Sequence, residues 1–519
     1  MQKWFMQILT RYRGWVIFLI ALPISFIFNV VQKLRNIVFR VFFANAKYHD
    51  KKVFEIQAAV KAAFEAGQKM CTARKPWKTM SLRVATFKDN CAKIPINLKD
   101  ILHLDTVKQT VRVEPMVTMG EITHFLVPRG FALAVQVEMD DLTIGGLCMG
   151  VGIETSSHRY GFLFETIEAF ELITADGTRL CVSRTENVEL FHALPWSHGT
   201  LGFLVAVELK VVPVKAFMRL EYLPCHSQAE FCEKFNALAE AKQPVAFLEA
   251  LVFSPTESVI LCGEFSDGPA GASEKVNPIN RWYKKWFYTH VEDFLKLGNS
   301  VEYIPLRHYF HRHTPSVFFQ LKELIPFANK AWYRYLFAWL GAPKISLMKL
   351  TYTKALRREA MFKRVTQDII VPLSDMNESL DFMHSRFSIY PMWICPVRLF
   401  NHHENEGFLY NPPASAETNH SAMYVDIGVY GIPQAVVEEK PWDMIAVSRE
   451  LEAFTLSKQG YHLLYADIFM TRAEFKKMFN HALYDQMRER YHAQAAFPEV
   501  YDKVIPESWL LNIDALEKT

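Results

Sequence analysis

The sequence predicts an α+β protein held at a membrane by an N-terminal helix. Three observations lead there: an uncharged apolar run near the N-terminus, short β-type runs closed by turn residues and interspersed with helical patterns, and a composition able to fill a large core. The chain has 519 residues, half of them hydrophobic and 22% charged. Such a composition is neither disordered nor collagen-like, and the length leaves room for about two to four domains. With 58 Lys+Arg against 55 Asp+Glu, the chain lacks the basic excess of a nucleic-acid binder, and no nucleic-acid partner is expected. Aromatic residues reach 14%, including 40 Phe. That content suits a wide apolar pocket, contact with lipid, or a large core.

Residues 14–31 (GWVIFLIALPISFIFNVV) carry no charge, and a membrane span needs about 17–25 such residues. Pro23 and Asn29 are both tolerable in lipid. Lys3, Arg11 and Arg13 precede the run, whereas Lys33, Arg35, Arg40, Lys47, Lys51 and Lys52 follow it. The positive-inside rule therefore predicts a single-pass anchor with the large C-terminal part in the cytosol. A cleaved signal peptide is the main rival, but no small-x-small cleavage site follows the run. A buried helix is the other alternative. Residues 38–43 are amphipathic enough to lie in the interface beside the span.

Beyond the anchor, Val53, Ile56, Val60 and Phe64 have helical spacing and lead to Gly67, predicting a helix over 51–67. Short apolar runs at 81–84, 94–97 and 110–113 read as strands, the last closing a hairpin across the polar turn 105–109. Residues 117–128 return to helical spacing. Residues 169–174 and 178–182 flank Asp176-Gly177, the strongest short hairpin signal, and 204–212 is a β-branched strand. Strands with interspersed helices make this α+β rather than a regular βαβ wind. The texture changes near Pro213, where a boundary is expected. A loop is expected at 264–275, an aromatic- and His-dense stretch follows to about 339, and 401–419 reads as a long polar loop.

Eight cysteines, at 71, 91, 148, 181, 225, 232, 262 and 395, show no C-x-x-C or zinc-type pairing. They read as reduced, mostly buried thiols facing the cytosol. The most informative stretch is 140–161 (DDLTIGGLCMGVGIETSSHRYG), with glycines at 145, 146, 150, 152 and 161. Glycines this dense let backbone N–H groups cradle a phosphate; a close-packed turn between sheets accounts for them equally. Neither the Rossmann order nor a P-loop is present.

The order of the surrounding segments is more specific. Ile96-Asn97-Leu98 with Ile101, Arg112 to Glu114 with Thr118 to Gly120, ELITADG (171–177), NVELFHALPW (187–196) and GTLGFLV (199–205) resemble, in the same order, segments of the vanillyl-alcohol-oxidase (PCMH-type) flavoprotein family. This set covers about residues 50–213. Over nearly the whole chain the sequence is similar to one group of that family, the Δ24-sterol reductases (Diminuto-like enzymes). The segments are MCTARKPW (70–77), RVEPMVTMGE (112–121), residues 140–161, EYIPLRHYFHRHT (302–314), YPMWICP (390–396) and LYADIFMTRAEF (464–475). The motifs beyond residue 300 separate this group from the wider family.

The resemblance implies a PCMH-type FAD-binding domain of two α+β subdomains with an α+β cap. The expected division is a membrane anchor and juxtamembrane segment (1–50), the FAD-binding domain (51–213), a cap or substrate domain (214–455) and a C-terminal segment returning toward the flavin (456–519). It implies an endoplasmic-reticulum reductase that uses FAD and NADPH to saturate the Δ24 side-chain double bond of a sterol, a desmosterol-to-cholesterol type of reaction. By carry-over, the FAD site comprises Arg74 and the stretch Thr143, Ile144, Gly145, Gly146, Leu147, Cys148, Met149, Gly150, Val151, Gly152, Ile153, Glu154 and Thr155. Arg74-Lys75-Pro76-Trp77-Lys78 stands where relatives carry Gly-Gly-His-Ser-like residues, so FAD is expected to bind non-covalently, with Cys148 a packed small residue.

An isolated trisubstituted alkene is a poor hydride acceptor, so the reaction needs a positioned acid in a dry site. Tyr465 and Asp467 alternate with apolar residues in LLYADIF, a strand pattern that places both on one face; they are the candidate catalytic residues, with a hydrogen-bonded structural Tyr and a surface Asp as the alternative. His308, His311 and His313 have loose metal-like spacing, but no metal is expected. Arg307 and Arg312 read either as phosphate contacts or as ordinary packing, and Glu171 as a salt-bridge partner. Trp286, Phe287, Trp332, Tyr335, Phe337 and Trp339 either hold sterol rings, fill the core or face the membrane. Two other functions stay open: an aldonolactone-type oxidase of the same family, and a non-enzymatic membrane-tethered sterol-binding protein. Expected partners are the sterol and the membrane, with homo-oligomers or other sterol-pathway enzymes left open.

Overall fold

The computed structural model describes residues 12–42, 46–79, 83, 85–271, 275–350, 357, 361–402, 407–412 and 420–506. The apolar N-terminal run is helical, as Arg13–Val16 and Leu22–Phe42 joined by the π-helical turn Ile17–Ala21. The helix His49–Glu65 follows, burying Val53, Ile56, Val60 and Ala63 along one stripe. Its polar start is tied down by Lys52 Nζ, which donates to Asp100 and Glu114 at 2.8 Å each.

Two short parallel strands, β1 (Met70–Thr72) and β2 (Ala92–Ile94), come next. The run expected at 81–84 lies outside the described residues apart from Arg83, and of 94–97 only Ile94 is in a strand. The first large sheet contains β3 (Ile101–Asp105), β4 (Thr110–Val113), β5 (Phe131–Leu133), β6 (Ile167–Ile173), β7 (Arg179–Ser183) and β8 (Phe203–Pro213). Its order is β3-β4-β8-β6-β7, with β5 also on β8. The hairpin at Asp176-Gly177 is present as expected, whereas the turn at 105–109 joins β4 to β3 and not to the run 94–97, whose Ile94 pairs in parallel with β1. Asp105 Oδ1 accepts from the Val107 and Lys108 amides at the first turn, and Asp176 with Gly177 (φ +87°) makes the second. The helix Met119–Leu126 opens with a capping box between Thr118 and Glu121. Glu171 on β6 is a salt-bridge partner, held by Arg112 and Arg179 with His49 beside it. Against the opposing effect of burial, bonds from His49 and Arg179 pull its carboxyl down to about 2.

The chain passes between Pro213 and Phe217 into a second, antiparallel sheet. Its strands are β9 (Phe217–Cys225), β10 (Phe247–Val252), β11 (Ser258–Ser266), β12 (Ser300–Pro305), β13 (Val365–Pro372), β14 (Met392–Phe400), β15 (Ser421–Gly431) and β16 (Tyr461–His462). They lie in the order β12-β9-β11-β10-β14-β15-β13-β16. Strand alternation sorts the two faces. Ala250, Ile369, Ile394 and Ile427 pack with Phe235 of the helix Gln228–Ala239 and Leu380 of the helix Met376–Arg386. The opposite face, toward the first sheet, carries Glu249, Trp393, Asp368 and Asp426.

One buried ion cluster joins the two halves. Arg312 is 1% exposed and donates through Nε and Nη2 to the two carboxylate oxygens of Glu249 on β10, each at 2.8 Å. Nη2 also donates to Glu154, at the end of the glycine stretch, at 2.8 Å. Close by, the Leu248 amide donates to the Thr155 carbonyl at 2.8 Å. Against the opposing effect of burial, Arg312 and then His313 hold the Glu249 carboxyl at about 2.

Removing Arg312 strands two carboxylates in the interior. Arg312→Met should therefore destabilise the protein by about 3–5 kcal/mol, read as a lowered denaturation midpoint at pH 7. With Glu249 at about 2 against an ordinary 4.5, its stabilisation is complete above about pH 4.5 and is lost as pH falls toward 2. The wild-type and variant midpoints should converge across that window.

Candidate active site

Between the glycine stretch and the polar face of the second sheet lies a cavity of about 450 Å³. Arg74, Thr143, Gly146, Leu147 and residues 150–153 form one wall. Trp393, Tyr430, Thr366 and Gln367 come from the sheet opposite, and residues 464–467 close the side. Thus eight of the residues expected at the FAD site meet at one surface. Ile144, Cys148, Met149, Glu154 and Thr155 are buried and, with Gly145, stand behind that wall. Cys148 is fully buried and its thiol is pushed up by burial, so it is a packing residue.

The glycines divide by what a side chain would meet. At Gly145 a Cβ would lie 2.6 Å from Pro115 Cβ, and at Gly152 2.9 Å from Leu163 Cβ, so both are needed for close packing. At Gly146 its only near neighbour would be Thr143 Oγ1, at 3.2 Å. Gly146 is therefore the point where bare backbone meets the cavity. The amides of Ile144 and Gly145 are committed to the Val117 and Pro115 carbonyls, at 2.9 and 2.8 Å. Two polar nitrogens on the lining, Arg74 Nε and His198 Nε2, are buried without a partner among the described residues. Burial, then Lys503 and Arg83, lower His198 to about 3. A neutral imidazole and a guanidinium that keeps Nε unused while Nη1 and Nη2 bond Thr143 Oγ1 and the Lys78 carbonyl suit a polyanionic, hydrogen-bonding cofactor such as FAD.

The sheet side is acidic and dry. Asp368 on β13 stands opposite Gly428 on β15, and Asp426 is two residues before Gly428 on the same face. The Tyr430 hydroxyl donates to Asp368 Oδ1, and the Tyr465 hydroxyl bonds the same carboxyl. Gly428 makes this possible: a Cβ there would overlap the Tyr430 hydroxyl and lie 2.7 Å from Asp368 Oδ1. Asp368 is fully buried, and burial pushes its carboxyl up to about 7 despite the two phenols. Asp426 is buried, and neither oxygen is hydrogen-bonded among the described residues; burial and then Asp368 raise it far above the ordinary range. Burial and neighbouring carboxyls raise Tyr430 and Tyr465 as well. The arrangement is a pair of phenols backed by carboxyls with a strengthened hold on their protons, Asp368 being protonated in part near pH 7.

Tyr465 and Asp467 both line the cavity, but not as strand neighbours. β16 ends at His462, and residues 463–470 are irregular. Arg83 imposes that course, donating to the Leu464 and Ala466 carbonyls at 2.7 and 2.6 Å. Tyr465 opens onto the cavity, 39% exposed, with its hydroxyl on Asp368. Asp467 is an ion-pair partner of Arg83 and Arg357, each at 3.3 Å.

The reading of Arg312 as a phosphate contact is overturned by its burial between Glu154 and Glu249, while Arg307 pairs with Asp140. His311 is bonded to the Glu138 carbonyl and Thr123 Oγ1. None of the six aromatics proposed around the sterol lines the cavity: Trp286 and Phe287 are core residues, and Trp332, Tyr335 and Trp339 are exposed. Asp368, Asp426 and Tyr430 escaped the sequence reading. Their signal was a single carboxylate within each of two strands rich in Val and Ile, VTQDIIVP and AMYVDIGVYG.

A glycine-walled cavity shared by an α+β domain and a second antiparallel sheet defines a flavoprotein of the PCMH class, and residues 51–183 match the FAD binding domain family. Across almost the full chain, the sequence is 43% identical to the Homo sapiens Delta(24)-sterol reductase, covering 95% of this chain and 93% of that protein. It is 35% identical to the Arabidopsis thaliana Delta(24)-sterol reductase, over 97% and 93%. Bos taurus L-gulonolactone oxidase is 34% identical over only 22% of the chain. The chain belongs to the Δ24-sterol reductase family.

Gly428→Ala should drive the Tyr430 phenol off Asp368 and cost about 1–3 kcal/mol, measured by thermal or denaturant unfolding. In a Tyr430→Leu background, where no ring overlies Gly428, the same change should cost clearly less.

Proposed function

We propose that this protein is an FAD-dependent, NADPH-consuming reductase of the Δ24 side-chain double bond of sterols, anchored at the endoplasmic-reticulum membrane with its catalytic body in the cytosol. One observation carries the reading: the glycine wall and the carboxyl-backed phenols face each other across a single cavity, in a chain that aligns end to end with Δ24-sterol reductases.

FAD would be held by Arg74, Thr143, Gly146, Leu147 and the extended backbone 150–153, with His198 and Arg74 supplying hydrogen bonds; when bound and reduced by NADPH it supplies the hydride. The chain's own task is the proton. Protonation at carbon 24 places tertiary cation character at carbon 25, the stable position for hydride addition. Tyr465, open to the cavity, is the donor we assign. Its anion is disfavoured by burial and by Asp368, so it gives up a proton readily only when a replacement is in contact. Asp368, protonated in part near pH 7, provides one and draws on Asp426 behind it. The apolar side chains of Leu147, Val151, Phe318 and Trp393 keep water from competing for that proton.

The first test is an anaerobic absorbance titration of detergent-purified protein. Bleaching of the flavin by NADPH, then reoxidation dependent on a Δ24-sterol, is expected. Bleaching by an aldonolactone but not by NADPH would make the protein an oxidase, and flavin-free protein would leave a sterol-binding role. A second test separates the proton from the hydride. Tyr465→Phe should reduce sterol turnover by about 10²–10⁴-fold while flavin reduction by NADPH is unchanged. In the wild type, sterol turnover should fall as pH rises above about 7, where Asp368 loses its proton; a flat profile would remove Asp368 from the relay.

A further inference from the structure

One side of the N-terminal helix packs against the body from Gly14 to Phe28. Gly14 meets Pro326, Trp15 packs at a tilt on Phe327 (centroids 4.8 Å), and Phe18 packs on Phe327, Tyr333 and Phe337. Further along, the Lys344 amide donates to Ser25 Oγ at 3.3 Å, Phe26 meets Trp339, and Phe28 meets Trp77. These contacts run for about 20 Å of helix axis. Leu22 is fully buried, whereas Leu19, Ile20, Ile24, Ile27, Val31 and Leu34 on the opposite stripe are each more than half exposed.

The partner segment is anchored to the body. Glu323 Oε1 accepts from the Ile432 amide at 2.9 Å, and Arg334 donates to the Tyr283 carbonyl at 3.1 Å. The segment's short helical pieces Ala331–Leu336 and Ala338–Leu340 are joined by a turn, and it carries Lys330, Arg334 and Lys344. Were the helix upright in a bilayer, this segment would be carried into hydrocarbon with it, where lipid-exposed non-helical backbone and charge are disfavoured. The segment also exposes a cluster continuous with the helix: Trp332 (42%), Tyr335 (60%), Leu336 (60%) and Trp339 (52%). Trp and Tyr side chains favour the headgroup level of a membrane.

We propose that residues 14–38 and 324–345 form one platform lying in the plane of the membrane surface, with the outer helix stripe and the Trp332–Trp339 cluster inserted into a single leaflet. The occupant of this apolar face is lipid, and the inference rests on the membrane-anchored reading above. It replaces the single-pass geometry expected from the sequence. A helix sandwiched between protein and lipid is apolar all round, as a spanning helix is, so only its packing separates the two. The platform also borders the cavity. Ile345 and Thr79 line it; Lys344 touches Ser25, and Lys349 Nζ bonds Thr79 Oγ1 at 3.0 Å. A lipid substrate leaving the leaflet would meet that rim first.

The test uses full-length protein in phosphatidylcholine vesicles, with the exposed Cys181 changed to Ser. An environment-sensitive fluorophore is attached in turn at Ile20→Cys, Tyr335→Cys, Trp339→Cys and, as an aqueous control, Val437→Cys, in variants that retain bound flavin. Labels at Tyr335 and Trp339 should be blue-shifted and quenched by chain-nitroxide lipids to the same degree as at Ile20. In microsomes, a glycosylation acceptor fused ahead of residue 1 should stay unmodified. Labels at 335 and 339 that behave like the one at 437, or a glycosylated acceptor, would overturn the platform. Loss of quenching at Ile20 as well would instead defeat the membrane reading itself.

Discussion

Everything about the cavity depends on where Arg312 sits. One guanidinium satisfies both oxygens of Glu249 on the second sheet and one of Glu154 on the glycine stretch, so the two halves can close only with this cation between them. The cluster also orients what faces the cavity, since Trp393 Nε1 donates to Glu249 Oε2 at 2.8 Å. A buried cluster of this kind contributes less net stability than its Coulomb attraction suggests, because three charges are taken from water. Its structural effect is register: an incorrect docking of the halves leaves a charge unpaired in the interior.

Beside that cluster the sheet face departs from ordinary core chemistry. Asp368 and Asp426 lie on strands whose other residues include several Val and Ile, and neither has a basic partner among the described residues. The interior tolerates them because they hold protons, and they hold protons because the interior is dry. Stability and chemistry therefore rest on the same burial: water admitted to this face would ionise the carboxyls and remove the proton source together. Gly428 is the small adjustment that brings a phenol across the sheet surface onto Asp368, at the expense of strand propensity.

The course of residues 463–470 shows how the acidic face is completed from outside the sheet. After the two-residue strand β16, Arg83 from the first half takes the Leu464 and Ala466 carbonyls, turning Tyr465 onto Asp368. Arg83 and Asp467 hold this segment in position, and Tyr465 is left as the side chain open to the cavity. The two halves of the chain thus each contribute to a wall they also confront.

The sequence alone determined the local architecture. Apolar spacing located the helix His49–Glu65, and turn chemistry at Asp105 and at Asp176-Gly177 located the turns of the first hairpins. The run of small residues at 143–155 marked a backbone surface, and Tyr465 was legible as a polar residue in an apolar setting. All of these signals are carried by residues close together in the chain. Tertiary structure alone decided which glycine faces space and which faces Pro115 or Leu163, because that depends on what packs opposite. It paired Asp368 with Tyr430 and Tyr465 across three segments, and decided between the two readings of Arg312 by placing it in the interior against Glu154 and Glu249. It also decided which side of the apolar N-terminal helix meets protein and which is left for lipid. Apolarity is written in each residue, but the environment that satisfies it is a property of the packed chain.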